Sequence, residues 1–184
     1  SLNEVMNELI MMQQLSEHPA IITIKEFFTE GGADYDRIAP TPALGAELLE
    51  EDGIVHVVME LLEGQELVDA ITDVGAYDEG QSQVVMSNML DAIAFMHARG
   101  VVHRDLKLEN LCLAKPDDLD SVTLLDFGLA KALTAREKEE NVCGTLAYVA
   151  PEALVAGVYG QGVDVWALGV AMHVLLTGAW PFDD

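Results

Sequence analysis

Apolar residues at positions 2, 5, 6, 9, 10 and 12 give residues Leu2 to Leu15 the spacing of a helix with a wide apolar face. Ser16-Glu17-His18-Pro19 ends it, because proline cannot continue a helix. Ala20 to Phe28, rich in Ile and Phe, then reads as a strand. Thr29 to Gly53 has neither period and is expected to be an irregular, exposed connection with an acidic end. A second apolar strand follows at Ile54 to Leu62, and a helix opens over Glu66 to Ile71. Gln81 to Arg99 predicts a long helix burying residues 84, 85, 89, 90, 93 and 96, with Gly100 as its stop. Two short apolar runs, Leu111 to Ala114 and Val122 to Leu125, flank a polar tip and predict a hairpin. Val165 to Phe182 carries no Asp, Glu, Lys or Arg. Its length approaches that of a membrane span. Gly169, His173, Gly178 and Pro181 inside it favour a buried core helix instead.

Bulk composition narrows the function classes. The 184 residues are 51% hydrophobic, enough for one sizeable core. Thirty-two acidic against 9 basic residues give a formal net charge of −23. Such a field argues against nucleic acid or an anionic membrane as partner, and suits basic partners or plain solvation. Cys112 and Cys143 make no disulfide framework. With no signal-peptide pattern in Ser1-Leu2-Asn3-Glu4, the expected compartment is the reducing cytoplasm.

Chemistry concentrates between His103 and Gly128. The stretch reads His-Arg-Asp-Leu-Lys-Leu-Glu-Asn over 103–110 and Asp-Phe-Gly over 126–128. Moving a phosphoryl group from a nucleotide needs a carboxylate to take a hydroxyl proton, oxygen ligands for Mg²⁺ and a cation beside the phosphate. Asp105 suits the base and Lys107 the cation. Asn110 and Asp126 are hard-oxygen ligands of the kind Mg²⁺ takes in small number alongside phosphates. The predicted hairpin returns Asp126 toward the loop that carries the other three.

These motifs, followed in order by Ala150-Pro151-Glu152, resemble the catalytic domain of the eukaryotic protein kinases. Lys107 gives the loop its serine/threonine form, and the likeness is greatest to the calcium/calmodulin-dependent group. The resemblance implies an α+β, two-lobed and mostly helical fold, present in part. Residues 1–62 would belong to the small lobe, with 29–53 as an insertion, and 63–184 to the large lobe. It implies ATP and Mg²⁺, phosphorylation of serine or threonine on protein substrates, and Thr145 bridging Asp105 and Lys107. Glu8 would pair with a strand lysine, with Glu4 competing for that place. Met59 would guard the rear of the adenine pocket, the backbone of Glu60 and Leu62 would face the adenine edge, and Cys112 would form its floor. Glu66 would bind ribose hydroxyls. Together with Glu109 it suggests substrates with a basic residue before the acceptor.

Further expectations come with the likeness. Glu139 or Glu140 would supply the negative charge that many kinases obtain by phosphorylating the segment before Cys143, with Thr134 a weaker modification site. Asp164 would hold the backbone of the catalytic loop or cap its own helix. Leu146 replaces a common proline. Neither a glycine-rich loop nor a strand lysine occurs before Glu8, so the 184 residues by themselves are expected to be inactive although the protein they belong to is expected to be an active kinase. A non-catalytic scaffold that binds partner proteins is the alternative; a small-molecule kinase is a weaker one. Calmodulin is a candidate partner that no residue here identifies.

Overall fold

The computed structural model describes residues 11–31, 34–38, 55–127, 130–132 and 144–182. The chain divides into two compact units, Ser1–Leu61 and Leu62–Asp184.

In the first unit, residues 11–15 are helical, with Met12 and Leu15 buried. The turn after them is built from side chains. Ser16 Oγ donates to Met12 O (2.8 Å) and accepts from Ile24 N–H (3.2 Å), while His18 Nδ1 accepts from Ala20 N–H. Three antiparallel strands follow, β1 (Ile24–Gly31), β2 (Asp34–Ile38) and β3 (Val55–Met59), in the order β2-β1-β3. The irregular connection expected from Thr29 onward is therefore corrected. Its first part extends β1 and forms β2, in a register that closes on Gly31 and Asp34. Asp34 and Asp36 are poor strand formers, and hairpin pairing overrode their local preference. Residues 39–54 lie outside the described residues.

Among its described residues the second unit carries four α-helices. Helix α1 (Leu67–Val74) starts after Glu66 and stops at Gly75, whose φ of 86° suits glycine. Helix α2 (Glu79–Ala98) opens with a capping box. Asp78 accepts from Gln81 N–H, and the Gln81 side chain accepts from Asp78 N–H. Its buried face is Ser82, Val85, Met86, Met89, Ala92, Ile93 and Met96. Val84 and Leu90, expected inward, are exposed. Small and sulfur-bearing residues hold the inner face, which a search for branched apolar residues misreads by one position.

Short strands follow: β4 (Val101–Val102), β5 (Leu111–Leu113), β6 (Val122–Leu124) and β7 (Lys131–Ala132). Strands β5 and β6 form the expected hairpin, and β4 pairs with β7. Helix α3 (Pro151–Ala156) has proline in its first turn. Helix α4 (Gly162–Thr177) ends at Gly178, with φ 66°. It buries Val163, Ala167, Leu168, Val170, Ala171, Val174 and Leu175, but Val165, Met172 and Leu176 are exposed, so it is a core helix on one side only. No described helix is long and apolar enough to cross a membrane. Val102, Ala150, Ala153, Tyr159 and Val163 form one buried cluster, which joins β4, α3 and α4.

Candidate active site

The segment 103–110 is held from two directions. At its rear, Asp164 in the first turn of α4 is almost completely buried. Its Oδ2 accepts from His103 N–H (3.0 Å) and Oδ1 from Arg104 N–H (2.9 Å), and His97 Nε2 lies 2.7 Å from Oδ2. The N-cap position of α4 is Gln161, so Asp164 holds the loop and does not cap its own helix. Arg104 adopts φ 70°, uncommon for a side chain larger than glycine. The Asp164 bond to its N–H helps hold that conformation. Burial lowers the His103 pKa below the usual histidine value, against the opposing pull of Asp164, Asp105 and Asp126, and the ring packs on Phe127 at 5.2 Å.

At its front, three side chains interlock. Asp105 Oδ1 accepts from Thr145 N–H (2.8 Å) and from Thr145 Oγ1 (3.1 Å). Lys107 Nζ donates to Thr145 Oγ1 (3.1 Å) and pairs with Asp105 Oδ2 (3.1 Å). Gly144 makes the approach possible. Its φ is 99°, and a Cβ there would sit 2.7 Å from Arg104 O.

Asn110 is buried, and its Nδ2 donates to Asp105 O (3.0 Å). That bond assigns the amide nitrogen inward and leaves the carboxamide oxygen as the group able to accept a ligand. Leu125 N–H donates to Asn110 O (2.9 Å), so the β5–β6 hairpin returns the backbone just before exposed Asp126 to Asn110. Both are hard-oxygen donors and fit Mg²⁺. Among the described residues no three His, Cys, Asp or Glu side chains gather into a metal site, so an ion held by this pair would take its remaining ligands from phosphate and water.

Residues 63–66 run along β5. Glu63 N–H donates to Ala114 O, Gly64 N–H to Leu113 O, and Leu113 N–H to Gln65 O. Gly64 is required, since a Cβ would fall 2.4 Å from Leu113 O. Glu66 is exposed, bridges Cys112 through the backbone, and its carboxylate makes no cap bond to α1. The Cys112 thiol is buried, 3.7 Å from Gly64 O, and burial raises its pKa, with Glu66 adding to the effect. It is a packing thiol and no nucleophile. Leu62 is half-buried in this unit. Met59 and Glu60 belong to the first unit, where Met59 ends β3 and Glu60 Oε1 accepts from Thr23 N–H (2.7 Å). Glu4, Glu8, Thr134, Glu139 and Glu140 lie outside the described residues.

Two polar residues escaped the sequence reading: His97, which meets Asp164, and Tyr148. Tyr148, inside Cys-Gly-Thr-Leu-Ala-Tyr, has its hydroxyl between Leu108 N–H (3.2 Å) and Glu109 Oε2 (3.3 Å). Only its place beside Thr145 could have drawn attention to it.

The protein kinase domain family matches residues 1–184. Calcium-dependent protein kinase 14 of Arabidopsis thaliana is 35% identical over 98% of this chain and 30% of its own length. Human calcium/calmodulin-dependent protein kinase type 1B is 36% identical over 98% of this chain and 46% of its own. Human serine/threonine-protein kinase H1 is 42% identical over 75% of this chain and 33% of its own. The chain thus spans less than half the length of these relatives. The family match over residues 1–184, with relatives 35–36% identical over 98% of the chain, places this chain in the protein kinase domain family.

Proposed function

We propose that the protein containing this chain transfers the terminal phosphoryl group of ATP to serine or threonine hydroxyls on protein substrates. The observation that carries the reading is the interlock of Asp105, Thr145 and Lys107 beside the Asn110–Asp126 pair. Asp105 orients the acceptor hydroxyl and takes its proton as the oxygen attacks. Thr145 fixes that carboxylate through two hydrogen bonds to one oxygen, leaving the other toward Lys107. Lys107 offsets charge on the phosphoryl group in transit. Asn110 and Asp126 would hold Mg²⁺, which neutralises phosphate charge when bound. Preorganised donors of this kind lower the barrier because they need not reorient during the reaction.

In the second unit the backbone of Leu62 and the Cys112 floor are proposed to receive the adenine, and Glu66 the ribose hydroxyls; Met59 and Glu60, in the first unit, rest on the resemblance alone. Glu8 is proposed to fix a lysine on the nucleotide. Glu109 and Glu66, both exposed carboxylates, favour substrates with a basic residue before the acceptor. The 9 basic against 32 acidic residues of the chain support such a partner. Calmodulin regulation is suggested only by the names of relatives.

The test is direct. The full-length protein, given ATP and Mg²⁺, is assayed on serine- and threonine-containing peptide libraries. Phosphate on hydroxyl side chains, enriched where arginine or lysine precedes the acceptor, is expected. Phosphate found only on small-molecule acceptors, or none transferred, overturns the reading.

A further inference from the structure

Glu109 sits on the exposed side of the loop, and a glutamate there is ordinarily free to rotate. It is tethered by Tyr148. The Tyr148 ring is buried, and Trp180 meets it edge-on at 5.2 Å and 86°, so the ring cannot swing away. Its hydroxyl has one hydrogen to give and accepts through its lone pairs. It accepts from Leu108 N–H, which leaves the hydrogen for Glu109 Oε2. The backbone of residue 108 and the carboxylate of residue 109 are thus fixed by the same oxygen, on the loop that carries Asp105 and Lys107. Burial, opposed by the Leu108 bond and reinforced by Glu109, raises the phenol pKa far above its ordinary value, so it donates at every physiological pH.

From this geometry we infer that Tyr148 is a positioning residue: it presets the Glu109 carboxylate to receive a cationic side chain of the substrate. The inference rests on the basic-substrate reading proposed above and adds to it how that preference is enforced. An acceptor already held in place loses less side-chain freedom when the cation arrives. Tyr148 itself touches neither the acceptor hydroxyl nor the phosphate in this scheme.

The test uses the full-length protein and two peptides that differ only in arginine or glutamine before the acceptor. Wild type is expected to prefer arginine. Tyr148→Phe keeps the ring and removes the hydroxyl. It should raise KM for the arginine peptide about tenfold, the scale of one charge-assisted hydrogen bond, with a far smaller change on the glutamine peptide. The arginine-to-glutamine ratio should fall toward that of Glu109→Gln, and the double variant should fall no further than Glu109→Gln alone. Glu109→Asp gives a second route, at an exposed position where folding is not at risk. It keeps the charge but is one methylene short of the phenol, and should lose preference too. Equal impairment of Tyr148→Phe on both peptides, or an undiminished preference in Tyr148→Phe or Glu109→Asp, overturns the inference while the substrate reading stands. A wild type with no arginine preference overturns the substrate reading, and this inference with it.

Discussion

The two faces of the catalytic loop are held by opposite means. Behind it, one buried carboxylate, Asp164, collects two backbone N–H groups and the His97 ring. In front, partly exposed side chains, Asp105, Lys107 and Thr145, bond one another. The rear contact fixes backbone in a protected setting, where each donor left without an acceptor costs roughly 1–3 kcal/mol. The front contact fixes functional groups where solvent weakens each bond, so it adds little stability. Stability and the proposed chemistry are therefore assigned to different carboxylates on either side of the same residues.

Substitutions separate the two. Asp105→Asn keeps the shape but removes the proposed base; kcat for peptide phosphorylation should fall about 10²- to 10⁴-fold, with little change in thermal stability. Asp164→Ala should do the reverse. It strands the N–H groups of His103 and Arg104, and denaturant titration should show a loss of about 3 kcal/mol, with activity lost as the folded population is lost. Thr145→Val removes one hydroxyl and leaves its backbone N–H bond to Asp105. A fall of about tenfold in kcat, with stability unchanged within about 0.5 kcal/mol, is expected from steady-state kinetics and melting. If Asp105→Asn and Asp164→Ala cost the same stability, the contrast between front and rear is wrong.

Much of this was legible in the sequence because the motifs are contiguous. His103 to Asn110 and Asp126 to Gly128 carry the proposed reacting groups, and two apolar runs around a polar tip implied the hairpin that joins them. Legibility failed where a residue's partner is remote and its own chemistry ordinary. Tyr148 reaches Leu108 and Glu109 across forty and thirty-nine positions, and no local pattern encodes such a bond. The inner face of α2 was misread at Val84 and Leu90 because Ser82 and Ala92, not branched residues, fill it. The Asp78–Gln81 capping box was readable from spacing and places the helix start two residues before Gln81. Strand β2 was hidden by its aspartates, since its pairing with β1 is a property of the hairpin.

The central claim is that Asp105, Asn110 and Asp126 serve one magnesium-bound nucleotide. Calorimetric titration of ATP into the full-length protein, with and without Mg²⁺, tests it in wild type and Asp126→Asn. Wild type should bind ATP more tightly with Mg²⁺, and Asp126→Asn should lose about tenfold or more of that gain, as expected when a metal ligand's charge is removed. An identical magnesium dependence in the two proteins would contradict the account.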